Sequence, residues 1–353
     1  MKDKKMQPSP LIVDLFCGAG GLSFGFKNQG FEISAGIDID ENCRYPYEEN
    51  IGAPFIRKDV SKVTCEKLVE LFDPHRIKIL VGCAPCQPFS KYNQKNNDPK
   101  WNLLCFFGKL ISTTKPEIVS MENVPELLKF QNGAVFNNFI KQLTNAGYHV
   151  SFDTLYAPDY GLPQSRSRLV LLASLLGPIS LPKPSHQNNH ISVRNALHNL
   201  PPLLPGAEHP KDNLHKTSNL SELNKKRIEA SSPEGSWNDW PDGLIAKCHK
   251  SKSGKGYKSV YGRMSWDKPS PTITTQFYGF GNGRFGHPEQ DRAISLREGA
   301  ILQGFPKWYK FVPPSEKVHF TKVGKMIGNA VPVTLANAIA KSVKSHLTEY
   351  AHA

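Results

Sequence analysis

The sequence predicts an α/β fold, a doubly wound and mostly parallel sheet joined to a smaller, loop-rich module. Short apolar runs alternate with helix-length stretches through roughly residues 10–175, the rhythm of a sheet covered by helices. A glycine-rich turn, Gly18-Ala19-Gly20-Gly21, follows the first of those runs, where such folds carry ligand loops. From Gly177 the texture changes: Pro178, Pro182, Pro184, Pro201, Pro202 and Pro205 crowd in with His186, His190, His198 and His209, and regular periodicity fades.

The first strand is expected over 11–16, and the mixed apolar stretch to Phe26 opens a helix after the glycines. Further strand-like runs occupy 33–39, 79–82, 117–121, 150–155 and 169–173, with helices expected around 109–114 and over 135–146. Their apolar runs are bounded by turn signals, as buried strands require. Order returns near 292–305, and 330–347 carries apolar residues at helical spacing. No internal repeat is visible.

At 353 residues the chain is long enough for one large domain and a smaller second one. A formal charge of +13 and a pI near 9.3 favour a polyanionic partner, although solvated Lys-rich faces give the same balance. The seven cysteines are an odd, scattered set, which fits a reducing cytoplasm better than a disulfide framework. No apolar run approaches the ~20 residues of a membrane span, and the Lys-rich start reads as neither a signal peptide nor an anchor.

Four stretches carry chemistry. Asp14 to Gly21 is followed by Asp38 and Asp59; glycines let backbone approach a ligand, and an acid ending the second strand accepts bonds from ribose hydroxyls. Ser23 stands where a dinucleotide site needs a third glycine, so NAD and FAD are disfavoured. A glycine-rich turn without a ligand is the alternative on this stretch alone. In Gly82-Cys83-Ala84-Pro85-Cys86-Gln87-Pro88-Phe89-Ser90, Cys86 stands past a strand end, placed as a nucleophile once its thiolate is favoured. Cys83 and Cys86 also have the spacing of a redox pair or half a zinc site; no second such pair exists, and both readings stay open. Glu122, in Met121-Glu122-Asn123-Val124-Pro125, leaves the sheet where a carboxyl group can exchange hydrogen bonds, or serve structure only. Arg166 and Arg168 alternate along Gln164-Ser165-Arg166-Ser167-Arg168, projecting to one side, where they suit an oxygen-rich ligand or a solvated edge.

These blocks, with Arg297-Glu298, Gln303-Gly304-Phe305-Pro306 and Gly328-Asn329-Ala330-Val331-Pro332, together resemble the ordered motif series of the DNA cytosine-5 methyltransferases over residues 11–345. The resemblance implies an enzyme of that class with S-adenosylmethionine as cofactor, S-adenosylhomocysteine as product and double-stranded DNA as partner. It implies Cys86 as the nucleophile toward cytosine C6, Glu122 as the carboxyl group stabilising the N3 side, Arg168 as holder of O2 and Arg166 as its partner. It assigns Phe16, Gly18, Ala19, Gly20, Gly21, Asp38, Ile39, Asp59, Val60, Pro85, Leu103, Asn329 and Val331 to the cofactor. Cys83 falls at a variable position and is read as structural.

Residues 90–102 resemble the loop that closes over a flipped base, and 177–288 occupies the family's target-recognition position. There, 247–268 holds seven basic residues against one acid, Asp267, suited to phosphate contact. Gln87, Ser90, Arg263, Thr274, Gln276 and Tyr278 are the candidate DNA contacts. The implied domains are 1–176 for catalysis and cofactor, 177–288 for target recognition, and 289–353 returning to complete the catalytic domain. The resemblance further suggests a monomeric prokaryotic modification enzyme in the cytoplasm, paired or unpaired with a restriction endonuclease, without metal. The tRNA-modifying branch of the family is the nearest rival, but its Cys-Phe-Thr element is missing, since Cys105-Phe106 runs on to Phe107. A DNA-binding relative without catalysis is the other, and the presence of Cys86, Glu122, Arg166 and Arg168 together argues against it.

Overall fold

The structure is a computed structural model that describes residues 9–85, 101–251 and 254–352. Its strands in chain order are β1 (Leu11–Leu15), β2 (Glu32–Asp38), β3 (Phe55–Arg57), β4 (Lys78–Gly82), β5 (Ile118–Asn123), β6 (His149–Tyr156), β7 (Ser167–Ser174), β8 (Glu208–His209) and β9 (Asp212–Lys216). The helices are α1 (Gly21–Asn28), α2 (Arg44–Ile51), α3 (Cys65–Val69), α4 (Asn102–Thr114), α5 (Ala134–Asn145), α6 (Val193–Leu197), α7 (Glu222–Glu229), α8 (Lys247–Lys250), α9 (Leu296–Leu302), α10 (Phe320–Asn329) and α11 (Val333–His352). Two compact units divide the chain: the first takes Met1–Tyr160, Ser167–Ser185 and Val331–Ala353, the second Gly161–Arg166 and His186–Ala330.

The first unit bears out the predicted sheet. Seven strands lie in the order β3-β2-β1-β4-β5-β7-β6, and only β7 runs against the rest. The order reverses between β1 and β4, so their carboxyl ends open the crevice where doubly wound sheets take ligands. Side chains alternate between two cores, as the pleat demands. Val13, Leu15, Leu80, Val119 and Met121 face α4 and α5 through Phe107, Ile111 and Phe139. Ile12, Ile79, Val81, Ile118 and Val170 face α1 and α11 through Phe26, Leu335 and Ile339.

The C-terminal helix is bound into this unit by small residues. A Cβ on Gly25 would collide with Ala336, and one on Gly21 with the carbonyl oxygen of Val331. Hydrogen in place of a side chain lets α1 and the start of α11 approach that closely.

The second unit packs around Ile228, Trp237, Trp240, Phe280 and Ala293. Its α9 is anchored by polar contacts that sequence periodicity does not reveal. Glu298, 1% exposed, receives two 2.7 Å bonds from Arg292, 0% exposed. Burial alone would raise the Glu298 carboxyl, but the Arg292 guanidinium beside it holds it down at about 2. Arg297 pairs with Asp212 of β9 at 2.7 Å, and Ser295 Oγ lies 2.9 Å from His215 Nδ1. Residues up to Ala330 group with the second unit and the first resumes at Val331, where the sequence reading begins its returning segment at residue 289.

Candidate active site

At the carboxyl end of β1 the chain turns through Phe16 (φ 61°), Gly18 and Gly20, all left-handed. The turn is clasped by Asp38, which ends β2: its Oδ2 accepts from Gly18 N at 2.9 Å and its Oδ1 from Asp40 N at 2.9 Å. Burial nevertheless raises the Asp38 carboxyl. Next to it Ile39 is 64% exposed, an apolar side chain at a strand end with no cover among the described residues. Phe16 is half-buried, edge-on to Phe107 at 6.5 Å. Asp59 caps the turn Val60–Lys62, its Oδ1 accepting from Ser61 N at 2.9 Å. Val60 and Ala19 are buried, while Leu103 and Pro85 are half-buried.

Beneath the turn lies a carboxyl group the sequence reading quoted but did not assign. Asp14 is 1% exposed; Oδ2 accepts from Ser23 Oγ at 2.6 Å, and Ser23 in turn meets Tyr47 Oη at 2.9 Å. Its Oδ1 has no hydrogen bond among the described residues. Burial, only partly offset by the Ser23 hydroxyl, pushes this carboxyl up to about 7. Burial and then Asp14 push the Cys17 thiol well above its ordinary range, so Cys17 is no nucleophile at neutral pH.

A second cluster gathers at the ends of β4, β5 and β7. Glu122 is 2% exposed. Arg168 Nε stands 2.9 Å from its Oε1, an ion pair between neighbouring strands whose N–H is not aimed at that oxygen, which lacks a hydrogen bond among the described residues. Cys83 Sγ donates to Oε2 at 2.8 Å, so Cys83, expected to be structural, touches the carboxylate. Asn123 Nδ2 holds the carbonyl of Ala84 at 3.0 Å, fixing the chain just ahead of Pro85. Cys86, Gln87 and Ser90 lie outside the described residues.

Within the second unit three of the sequence blocks meet. Gln164 Nε2 donates to Gln303 Oε1 at 2.7 Å, and Gln303 Nε2 donates to the Ala330 carbonyl. Gln164 Oε1 accepts from Ile273 N at 2.9 Å, and Arg166, 6% exposed, gives Nη1 to the Ile273 carbonyl at 3.1 Å. Thr274 and Gln276 are exposed next to this anchored backbone, and Tyr278 is half-buried, 5.2 Å from the Phe320 ring. Asn329 is exposed at the end of α10, whereas Val331 is buried in the first unit.

Arg263, expected to contact DNA, does not present its guanidinium outward. It is 5% exposed and spends its donors on the carbonyls of Ile228, Ser231, His287 and Gln290 and on Asp291. A buried guanidinium is tolerated only when its donors are met, and these carbonyls meet them. No helix among the described residues is long and apolar enough to cross a membrane.

The profile of the C-5 cytosine-specific DNA methylase family matches residues 11–345. The chain belongs to that family. It is 52% identical to the Type II methylase M.HgiDII of Herpetosiphon aurantiacus, over 95% of either chain. It is 31% identical to the Type II methyltransferase M1.HphI of Haemophilus parahaemolyticus, over 94% of this chain and 86% of that one. The crystal structure of a candidate DNA modification methyltransferase encoded within an Escherichia coli prophage shares the methylase's fold. Its TM-score is 0.75 at 23% identity, covering 96% of this chain and all of that one. The methylase is therefore a DNA cytosine-5 methyltransferase with DNA as substrate. The contacts of Cys83 and Asp14 were not legible in the sequence, because Cys83 meets Glu122 of β5 and Asp14 meets Ser23 of α1 only in the folded chain.

Proposed function

We propose that the methylase takes the methyl group from S-adenosylmethionine and delivers it to C5 of a cytosine turned out of duplex DNA, as a site-specific modification enzyme. The observation that carries the reading is the buried pair of Glu122 and Arg168, on β5 and its neighbour β7, with β5 paired directly to β4, the strand that precedes Cys86 in sequence. The cofactor fits the first crevice. Asp14 Oδ1 is a buried oxygen without a partner, suited to a cationic amino group, and the exposed Ile39 offers a flat apolar edge for adenine. Phe16, the glycine turn from Gly18 to Gly21, Asp38, Asp59, Val60, Pro85, Leu103 and Val331, all of the first unit, complete the proposed pocket; Asn329 is the further cofactor residue that the family resemblance implies. When bound, the cofactor supplies a sulfonium methyl group.

The chain's own groups do the rest. Carbon 5 of cytosine is a poor nucleophile, so Cys86 as thiolate adds to carbon 6, breaking the ring's conjugation and loading electron density onto C5 and the N3 side. Glu122 hydrogen-bonds N3 and the exocyclic amine, where that density builds. Arg168 holds O2 while keeping Glu122 in place. Arg166 braces the backbone that carries Thr274. After transfer, loss of the C5 proton and release of Cys86 restore the aromatic ring.

Flipping a base costs a few kcal/mol, offset by contacts from the second unit and from Gln87 and Ser90. One chain contains every proposed group, so a monomer suffices. Cytoplasmic action on chromosomal DNA, alongside a cognate endonuclease, matches the Type II designation of the relatives. Bisulfite sequencing of DNA from cells expressing the methylase should show unconverted cytosines confined to one short sequence. Full conversion everywhere, with folded protein present, overturns the proposal.

A further inference from the structure

The second unit is expected to read DNA, yet its most obvious candidate, Arg263, is consumed internally. We infer that Arg284 is the arginine that reads the target sequence, by holding the major-groove edge of a guanine. The inference rests on the proposed reading of specific duplex DNA.

Of the chain's eleven arginines, Arg284 alone has neither a hydrogen bond nor an ion pair among the described residues. In the same unit Arg194 takes Asp267, Arg292 takes Glu298, Arg297 takes Asp212, and Arg227 takes the Leu244 carbonyl and Asn224. Glu234 senses Arg284 electrostatically, but its ion-pair partner is Lys268, at 2.8 Å. A guanidinium has five donors and no acceptor, and Arg284 is half-buried, so a fork left without acceptors there favours a ligand that provides them.

The seat is also built. A Cβ on Gly262 would come 2.9 Å from Arg284 Cγ and 3.0 Å from its Nε, so the glycine makes room for the stem. The backbone on either side is tied down: Ile294 N bonds the Phe285 carbonyl at 2.9 Å, and Gly286 N bonds the Gly262 carbonyl at 2.9 Å. Phe280 and Phe285, 1% and 2% exposed, pin the segment from below. A planar fork on a fixed stem suits two parallel acceptors such as guanine O6 and N7. Phosphate contact needs only a flexible charge, which exposed lysines such as Lys250 and Lys258 already supply.

The test uses the full-length methylase and duplex oligonucleotides containing its mapped site, with each guanine replaced in turn by 7-deazaguanine, which lacks the N7 acceptor. Wild type should lose roughly tenfold to hundredfold in kcat/KM at one guanine. R284A should lose a similar factor on unmodified DNA and be indifferent to 7-deazaguanine there, with its thermal midpoint and its affinity for the methyl donor unchanged. R284K, which keeps charge and stem, should behave like R284A. Continued sensitivity of R284A at that guanine overturns the inference, as does full activity of R284K. So does a uniform loss across all sequences with a shallower salt dependence, which marks a phosphate contact. Those results leave the methylase reading intact, whereas a wild type that modifies no cytosine removes that reading and this inference with it.

Discussion

Replacing Arg263 by methionine keeps the length of the stem and removes the donors. Four carbonyls, those of Ile228, Ser231, His287 and Gln290, then lose their partner inside the second unit. At about 1 kcal/mol for each hydrogen bond the loss is about 4 kcal/mol. The Asp291 pair adds little, because that carboxylate is 51% exposed and solvent screens it. Equilibrium unfolding in urea, followed by the fluorescence of Trp237 and Trp240 in the nearby core, should show the transition at lower denaturant. DNA affinity measured well below that transition should change little. A stability change under 1 kcal/mol together with loss of DNA binding would contradict the reasoning, since it would mean the guanidinium leaves its internal acceptors for DNA.

Asp14 gives the methylase a pH signature: with its carboxyl raised from 3.8 to about 7, the associated stability is complete below pH 4 and is lost as pH rises through 7. Relative to Asp14→Asn, wild type should lose up to roughly 4 kcal/mol between pH 4 and pH 8, and parallel urea midpoints for the two proteins would refute burial as the cause. Cys83→Ala should lower kcat roughly fivefold through loss of about 1 kcal/mol of hydrogen bonding to Glu122. Cys83→Ser should restore most of it, with KM for DNA unchanged in both, and equal kcat in all three proteins would remove Cys83 from the site.

The central strands were legible because both faces of a parallel sheet are buried, so β1 and β4 carry the short apolar runs Leu11–Val13 and Ile79–Val81, and β5 opens on Ile118-Val119. β3, only three residues long, carries too little pattern to be seen. The glycine turn and Asp38 were legible as a loop and the acid that clasps it, since the fold brings consecutive βα elements together. The burial of Arg263 was not legible because it is decided by carbonyls 24 to 35 residues away in sequence, and an arginine in a basic stretch looks the same whether it faces DNA or the core. The grouping of residues 289–330 with the second unit was hidden for a related reason. The apolar pattern of α9 shows that it packs, while the pairs Arg297 with Asp212 and Ser295 with His215 decide against what. Cys83 was set aside because its contact with Glu122 spans two strands.

The most direct test of the account uses duplex DNA carrying 5-fluorocytosine at the methylated position, where fluorine replaces the proton whose loss frees the enzyme. Incubated with S-adenosylmethionine and this duplex, the methylase should accumulate as a covalent protein–DNA complex, and peptide mass spectrometry should place the bond on Cys86. A complex that forms equally with Cys86→Ser, or a wild type that methylates ordinary DNA yet is never trapped, would contradict a mechanism built on that thiolate.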